Sequence, residues 1–210
     1  MSNVFSTFRR IAWLCGKVEE CAPRIAALES RYRMVGKLTR GLHRPRVVML
    51  EWIDPPFLSG HWIPQIIWKA GGRNPIGVGP YGSFFRQPSR EIAWEDVLHT
   101  RPDVLLVAAC GFGVERQKQE LEIIVRKMGL HGSVRETTGA PKLFICDGSQ
   151  YFSRPGPRLV DTTELLGKIL HPELETEFGS KFQSGLDYEQ IEYGSTTYDH
   201  YWQPEWPRQA

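Results

Sequence analysis

The stretch RPDVLLVAACGFGVER, residues 101–116, decides the fold class. Its uninterrupted apolar run, 103–109, lies between Pro102 and Gly111, as expected of a strand that is buried on both faces. A helical pattern follows the glycines and is predicted over 114–128, with Gly129 at its end. A buried strand that passes through a glycine turn into a helix is the repeating unit of α/β proteins.

Similar units lie on both sides of this stretch. RVVMLEW (46–52) and KLFIC (142–146) are predicted strands because they are short, apolar and rich in β-branched or aromatic residues. Helical patterns alternate with the strands, and we predict helices over 62–70, 94–100 and 157–170. The alternation predicts an α/β fold: a Rossmann-like lobe over 46–171 with a mostly parallel sheet and helices on both faces.

Two segments flank this lobe. Residues 1–45 have helical periodicity and predict a connector: a short helix ended by Gly16, then a long helix with Pro23 in its first turn. The apolar stripe of the long helix consists of Ile25, Leu28, Tyr32, Val35, Leu38 and Leu42. Residues 172–210 lose this periodicity and form an acidic, aromatic-rich tail, which we expect to dock in part on the lobe.

Composition excludes several classes of protein. The chain has 210 residues, 41% hydrophobic and 24% charged, which is typical of a globular protein. No apolar run reaches the roughly 18 residues of a membrane helix, so no membrane insertion is expected. Arg9 and Arg10 interrupt the apolar N-terminus, so we recognise no signal peptide and expect a cytoplasmic location for the chain as written. The four cysteines have no metal-ligand spacing and are expected to be reduced thiols.

Charge is unevenly distributed along the chain. Residues 1–46 carry ten Lys and Arg against three Glu, whereas residues 172–210 carry two against eight acidic residues. A basic N-terminal segment can indicate a nucleic-acid partner. The interpretation that we favour is an exposed helix face that pairs with the acidic tail, with no nucleic-acid partner.

Three loops follow the predicted strands and contain the candidate binding residues. The carboxyl ends of parallel strands are where α/β folds bind ligands. The first loop, LEWIDPPFLSGHWIP (50–64), contains Trp52, Phe57, His61 and Trp62; the second, ACGFGVER (109–116), contains Gly111 and Phe112; the third, DGSQYFSRPGPR (147–158), contains Tyr151, Phe152 and Arg154.

Each loop also has a structural interpretation that the residues leave open. The aromatic side chains could simply cover the sheet, and His61 could be a hydrogen-bonded loop residue. Gly111 and Gly113 resemble the start of a dinucleotide fingerprint, but Arg116 stands where its third glycine belongs, so a plain strand-to-helix turn is equally plausible. Arg158 could be a structural charge at the start of a helix.

No catalytic motif occurs in the sequence. It contains no GxSxG elbow, no HExxH and no glycine-rich loop that ends in Gly-Lys-Ser/Thr. Glu51 and Asp54 lie three residues apart, a spacing that gives no reason to expect a shared acid/base site. Aromatic loops without a catalytic set predict a binding protein rather than an enzyme.

The motifs EWxDPxxxxGHWxP and FSRPGPR, with the more general RPDVLLVA, make residues 4–173 resemble a known family. They are similar to the interlobe helix and C-terminal lobe of cobalamin-type periplasmic binding proteins, the substrate-binding components of ABC importers. The resemblance implies non-catalytic binding of cobalamin, or of a related corrinoid or metal chelate, in a cleft between two lobes. It implies no covalently bound cofactor and no resident metal. By motif it assigns eleven residues to the cleft: Trp52, Pro56, Phe57, His61 and Trp62 from the first loop, Cys110, Gly111 and Phe112 from the second, and Tyr151, Phe152 and Arg154 from the third.

The sequence departs from this family in three respects. The N-terminal lobe and the export signal have no counterpart here, Gln65 stands where the family pattern has Glu, and the tail after Glu173 is outside the pattern. We therefore expect a separately encoded lobe, an ABC permease or self-association as partners. The alternative is a truncated or repurposed lobe that acts as a protein-interaction module without binding a ligand.

Overall fold

The computed structural model describes residues 1–76, 88–120, 123–124 and 141–191. Two helices, α1 (Ser2–Leu14) and α2 (Val18–Leu38), precede the lobe. The strands are β1 (Val47–Ile53), β2 (Pro56–Leu58), β3 (Arg90–Glu91), β4 (Val104–Val107), β5 (Lys142–Cys146) and β6 (Tyr188–Ile191). The later helices are α3 (Ile63–Lys69), α4 (Trp94–His99), α5 (Val114–Lys118), α6 (Leu159–Leu170) and α7 (Glu175–Phe178), with single helical turns at Gly148–Phe152, Pro172–Leu174 and Gly179–Lys181.

The six strands form one sheet in the order β3-β2-β1-β4-β5-β6. The central strands β1, β4 and β5 are parallel, with Val47 opposite Val104 and Val104 opposite Lys142. The outer strands β2, β3 and β6 are antiparallel to their neighbours. The predicted α/β fold class is confirmed, and its parallel centre is bordered by antiparallel strands on both sides.

Both faces of the sheet are covered because side chains alternate along each central strand. Val47 and Met49 point to a core shared with α1, α3 and α6, whereas Val48 and Leu50 point to a second core shared with α4 and α5. The two cores make the central strands almost fully buried, which explains why their sequences are continuous apolar runs.

The N-terminal helices fold back on each other and pack against the lobe. Gly16 ends α1 with a φ of +64°, as predicted, but α2 already begins at Val18, so Pro23 lies inside it. In the described residues, the pairing of the basic helix face also differs from the prediction. Arg31 of α2 binds Asp161 and Glu164 of α6 at 2.5 Å each, so in the described part of the chain this basic residue pairs with the lobe and not with the acidic tail.

The structure adds elements that the sequence analysis left as loop or tail. β2 folds back on β1, with Phe57 opposite Trp52, although two prolines lie at its start. β6 lies within the segment predicted as a tail and pairs with β5, with Ile191 opposite Leu143. The helix predicted over 114–128 begins at Val114 as expected. α5 ends at Lys118, and a turn follows at 119–120, so the single predicted helix is interrupted there. Residues 121–122 and 125–129 and the aromatic end of the tail lie outside the described residues.

The candidate ligand edge

The carboxyl ends of β1, β4 and β5 lie side by side because these strands are parallel neighbours. The three predicted loops therefore begin at one border of the sheet. We call this border, with loop residues 52–62, 110–112 and 148–154, the ligand edge. Direct contacts join each of the three loops to the other two.

An aromatic pair joins the first loop to the second. The rings of Trp52 and Phe112 lie 5.2 Å apart at an angle of 49°. Trp52 is 36% exposed, and the guanidinium of Arg116 lies 4.9 Å from the centre of the Phe112 ring. This part of the ligand edge is a partly exposed apolar surface with a cation beside it.

A close backbone approach joins the second loop to the third. The Gly148 N–H donates to the Phe112 carbonyl at 3.0 Å. A Cβ at Gly148 would collide with the carbonyl oxygen of Ala109, so only glycine fits at this point.

Gln117, the fourth residue of α5, stabilises the same two loops through buried hydrogen bonds. Its side-chain carbonyl accepts from the Ala109 N–H at 2.8 Å, and its amide donates to the Cys146 carbonyl at 2.7 Å. The amide also lies 3.3 Å from the carbonyls of Phe112 and Gly113. The side chain is fully buried, so these hydrogen bonds satisfy backbone groups that water cannot reach.

A tryptophan joins the first loop to the third. The indole Nε1 of Trp62 donates to the Phe152 carbonyl at 3.1 Å, and Trp62 packs against the core. The ring of Phe152 is only 4% exposed and belongs to that core. The expectation that this ring lines the binding surface is therefore corrected: Phe152 anchors the third loop through its carbonyl and its buried ring.

Tyr151 is held by the segment after residue 171. Its hydroxyl donates to the buried Asp187 carboxylate at 2.8 Å, and its ring makes an edge contact with Phe182 at 5.9 Å. Burial and the nearby carboxylates raise the pKa of the Tyr151 hydroxyl. Residues 182–187 thus form a support for the third loop.

The predicted site residues divide into three groups by exposure. Trp52, His61, Cys110, Gly111 and Arg154 are exposed, Phe57, Trp62, Phe112 and Tyr151 are half-buried, and Pro56 and Phe152 are buried. Pro56 therefore cannot offer its ring to a ligand and instead pairs with Ile53 in the β1–β2 hairpin. His61 has a φ of +56°, and its ring lies 5.7 Å from the ring of Trp62.

Four residues of this region were not predicted: Arg116, Gln117, Gly148 and Asp187. In the sequence, Gln117 and Asp187 look like ordinary surface residues, because their burial depends on contacts with distant segments. Gly148 precedes a helix start and offered only a weak signal. Arg116 was noted as a departure from a nucleotide motif, and its position over the Phe112 ring follows from that same turn.

The ligand edge presents partly exposed aromatic rings and exposed arginine side chains. Within the described residues, no group of three or more His, Cys, Asp or Glu side chains is arranged to hold a metal ion. Of the helices that the structure describes, none is long and apolar enough to cross a bilayer. A surface depression of about 470 Å³ lies elsewhere, at the α1–α2 turn, and is lined by Trp13, Gly16, Lys17, Val18, Glu19 and Glu20.

Comparisons with known proteins place the fold. No family model and no curated protein matches the sequence. Among solved structures, an ABC transporter substrate-binding protein from Listeria monocytogenes matches with a TM-score of 0.67 and 16% identity, over 81% of this chain and 64% of that one.

Two further structures show the same likeness. A periplasmic heme-binding protein from Pseudomonas aeruginosa matches with a TM-score of 0.64 and 14% identity, over 90% of this chain and 64% of that one. An ABC-type Fe3+-hydroxamate transport protein from Saccharomonospora viridis matches with a TM-score of 0.56 and 19% identity, over 80% and 55%. The chain spans less than two-thirds of the length of each of the three. It has the fold of one part of the periplasmic substrate-binding proteins of ABC importers.

Proposed function

We propose that this chain binds a metal chelate at the ligand edge and serves as part of an ABC-importer substrate-binding protein. The observation that carries the proposal is the partly exposed Trp52–Phe112 pair, which spans two loops at the carboxyl ends of parallel strands. Binding alone accounts for the residues present, so the proposed role is not enzymatic.

A large, flat chelate suits this surface. Macrocycles are bound mainly by aromatic and apolar contact with a few polar anchors. Trp52 and Phe112 offer such contact, and the half-buried Phe57 lies opposite Trp52 in the β1–β2 pair. Arg154 and Arg116 are exposed cations at the same edge, which favours a ligand with carboxylate or other anionic groups.

The class of ligand rests on two independent supports. The structural neighbours include proteins described as heme-binding and as Fe3+-hydroxamate transport components, which favours a metal chelate in general. The motifs EWxDPxxxxGHWxP and FSRPGPR favour a corrinoid, with cobalamin as the first candidate.

A partner is part of the proposal. The ligand edge, as described, contacts one side of a flat ligand, and the similar structures are longer than this chain. We propose that a second lobe covers the other side. An ABC permease is the proposed downstream partner.

Calorimetric titration with cyanocobalamin, haemin and a ferric hydroxamate tests the proposal. We expect saturable binding of at least one of the three, and binding that weakens at least about fivefold in Trp52→Ala, since aromatic contact with a flat ligand contributes on the order of 1 kcal/mol or more. Arg154→Ala should weaken the binding of an anionic ligand. Trp68→Ala is the matched control, because Trp68 is also an exposed tryptophan, 46% accessible, but lies at the end of α3.

Three outcomes of the titration distinguish binding at the ligand edge, binding elsewhere and no binding. Binding that Trp52→Ala reduces and Trp68→Ala leaves unchanged supports the ligand edge as the site. Equal affinity in both variants places the ligand elsewhere. No saturation by any of the three ligands, with a folded chain, removes the proposed function.

A further inference from the structure

A second surface lies at the opposite border of the sheet, where the parallel strands begin. We define the basic surface by nine Lys and Arg residues at or just after the ends of α2, α3 and α4 and at the amino ends of the strands: Arg33, Lys37, Arg40, Arg44, Arg46, Lys69, Arg73, Arg101 and Lys142. Three different chain segments and the start of each central strand contribute to it.

Backbone contacts place the strand-side residues next to one another. Arg46 and Arg73 form a parallel bridge, and the Lys142 N–H donates to the Asp103 carbonyl at 2.9 Å. The Asp103 N–H donates to the Arg46 carbonyl at 2.9 Å. These bonds link β1, β4 and β5 at their first residues, so Arg46, Arg73 and Lys142 belong to one continuous border.

The end of α2 continues this border. The Arg44 guanidinium donates to the carbonyls of Trp68 and Gly72 at 2.9 and 3.1 Å. Burial lowers the pKa of the Lys69 ammonium group, and the nearby charges of Arg40 and Arg33 lower it further. Like charges therefore gather here.

Among the described residues, the acidic side chains at the basic surface neutralise little of this charge. Asp103 is engaged by Arg46, whose guanidinium donates to it at 2.7 and 3.1 Å. Glu29 lies at one border, 3.9 Å from Arg33, and Glu173 at another, 3.4 Å from the buried His171. Most of the positive charge therefore faces outward.

Two aromatic rings at this surface each have a cation over one face. The Arg44 guanidinium lies 3.9 Å from the Trp68 ring centre, and the Lys69 ammonium 5.0 Å from that of Tyr32. Stacking of nucleic-acid bases needs free ring faces. Trp68 is 46% exposed, which suits the polar–apolar boundary of a lipid headgroup layer, where tryptophan is favoured.

We propose that the basic surface binds peripherally to a membrane that contains anionic phospholipids, without inserting into it. Charge complementarity carries the proposal: clustered Lys and Arg each contribute about 1 kcal/mol to binding an anionic bilayer surface. Because the basic surface and the ligand edge are at opposite ends of the parallel strands, membrane binding leaves the ligand edge accessible. The inference does not depend on the proposed ligand.

Vesicle co-sedimentation of the full chain tests this proposal. Vesicles of phosphatidylcholine alone are compared with vesicles that also contain phosphatidylglycerol, at low salt and at about 1 M salt, where charges are screened beyond about 3 Å. We expect binding only to the anionic vesicles, and loss of binding at high salt. The double variant K37E/R40E should weaken binding at least about tenfold.

The control has the same change in net charge. R10E/R24E alters two exposed arginines of α1 and α2 outside the basic surface and should retain most of the binding. A second test pair, R73E/K142E, removes charge from the strand side, so the result does not depend on the stability of the α2 end. Circular dichroism checks that each variant is folded.

Three results would overturn the proposal. The first is equal binding to neutral and anionic vesicles. The second is an equal loss in R10E/R24E and in both test pairs, which would show that total charge alone matters. The third is tighter, equally salt-sensitive binding to duplex DNA than to anionic vesicles, which would assign the basic surface to nucleic acid.

Discussion

The indole nitrogen of Trp62 donates to the carbonyl of Phe152, 3.1 Å away, and ties the first loop of the ligand edge to the third. Both residues come from the motifs EWxDPxxxxGHWxP and FSRPGPR, and both were predicted to line the cleft. Trp62 is half-buried and Phe152 is buried, so their contact holds two loops in position, and the more exposed neighbours are the ones proposed to contact a ligand. A motif residue can thus hold a loop in position from the core without itself being exposed.

Gln117→Ala should destabilise the fold and loosen the second loop. The substitution removes the partner of the Ala109 N–H and of the Cys146 carbonyl, both in a buried region. Leaving such groups unpaired costs about 1–3 kcal/mol. Urea unfolding measures the loss, and Gln119→Ala, at an exposed position of the same segment, should change stability by less than about 0.5 kcal/mol. Similar losses in the two variants would contradict the role given to Gln117.

Gly148→Ala should be more damaging than an alanine at another glycine of the same loop. The new methyl group would collide with the backbone of Ala108 and Ala109, which cannot move without shifting β4. Overpacking of this kind costs about 1–3 kcal/mol. Gly156→Ala is the control because a Cβ there meets nothing within 4 Å. Thermal unfolding of the two variants should differ, and equal melting temperatures would argue against the close approach.

The four cysteines should react with a thiol reagent at very different rates. Cys15 and Cys110 are exposed, whereas Cys146 is fully buried in β5. Burial raises the pKa of the Cys146 thiol, and the neighbouring Asp147 adds to this, so its reactive thiolate is suppressed. With an aromatic disulfide reagent near neutral pH, we expect rapid labelling of the exposed thiols. Cys146 should react only as the protein unfolds.

Cys146→Ala identifies the slow phase of that reaction. The slow phase should disappear in this variant, whereas Cys110→Ala should remove part of the fast phase. Rapid labelling of Cys146 in native buffer would show that β5 is accessible to the reagent.

In the Asp103→Asn variant, the free energy of unfolding should fall less steeply as the pH decreases into the acid range. Hydrogen bonds from Arg46, followed by the charge of its guanidinium, lower the pKa of the Asp103 carboxyl below that of an unfolded chain, about 3.9. A lowered folded pKa means stability that is present above about pH 4 and is lost as the pH falls through the folded value. The Asp103→Asn variant has no carboxyl at this position, so this part of the loss of stability should be absent. Urea unfolding from about pH 6 down to about pH 2 checks it, and parallel curves for the two proteins would refute the linkage.

Much of the fold could be predicted because it depends on local patterns. Each predicted strand of the parallel centre and the helix 94–100 agree with the structure to within two residues at either end, because buried strands and amphipathic helices are marked by short-range apolar periodicity. β2 and β6 were missed for a physical reason. Their pairing partners, β1 and β5, supply the hydrogen bonds, and neither segment has a strong pattern of its own.

For the ligand edge, the sequence identified the loops but not the role of each side chain in them. Tyr151 and Phe152 are adjacent aromatic residues; one is half-buried and bonded to Asp187, and the other lies in the core. Nothing local distinguishes them, because the difference is made by Phe182, Asp187 and α6, which come later in the chain. The surfaces suited to binding are therefore properties of the assembled lobe.

The sequence by itself determined the α/β class, the positions of the central strands and the order in which helices alternate with them, because these follow from the burial of apolar residues at regular spacing. Only the tertiary structure decided the antiparallel borders of the sheet, the burial of Gln117 and Phe152, and the gathering of basic residues from 33 to 142 at one border. Those features depend on which distant segments become neighbours. The parallel pairing of β1, β4 and β5 places the amino ends of these strands at one border of the sheet and their carboxyl ends at the other.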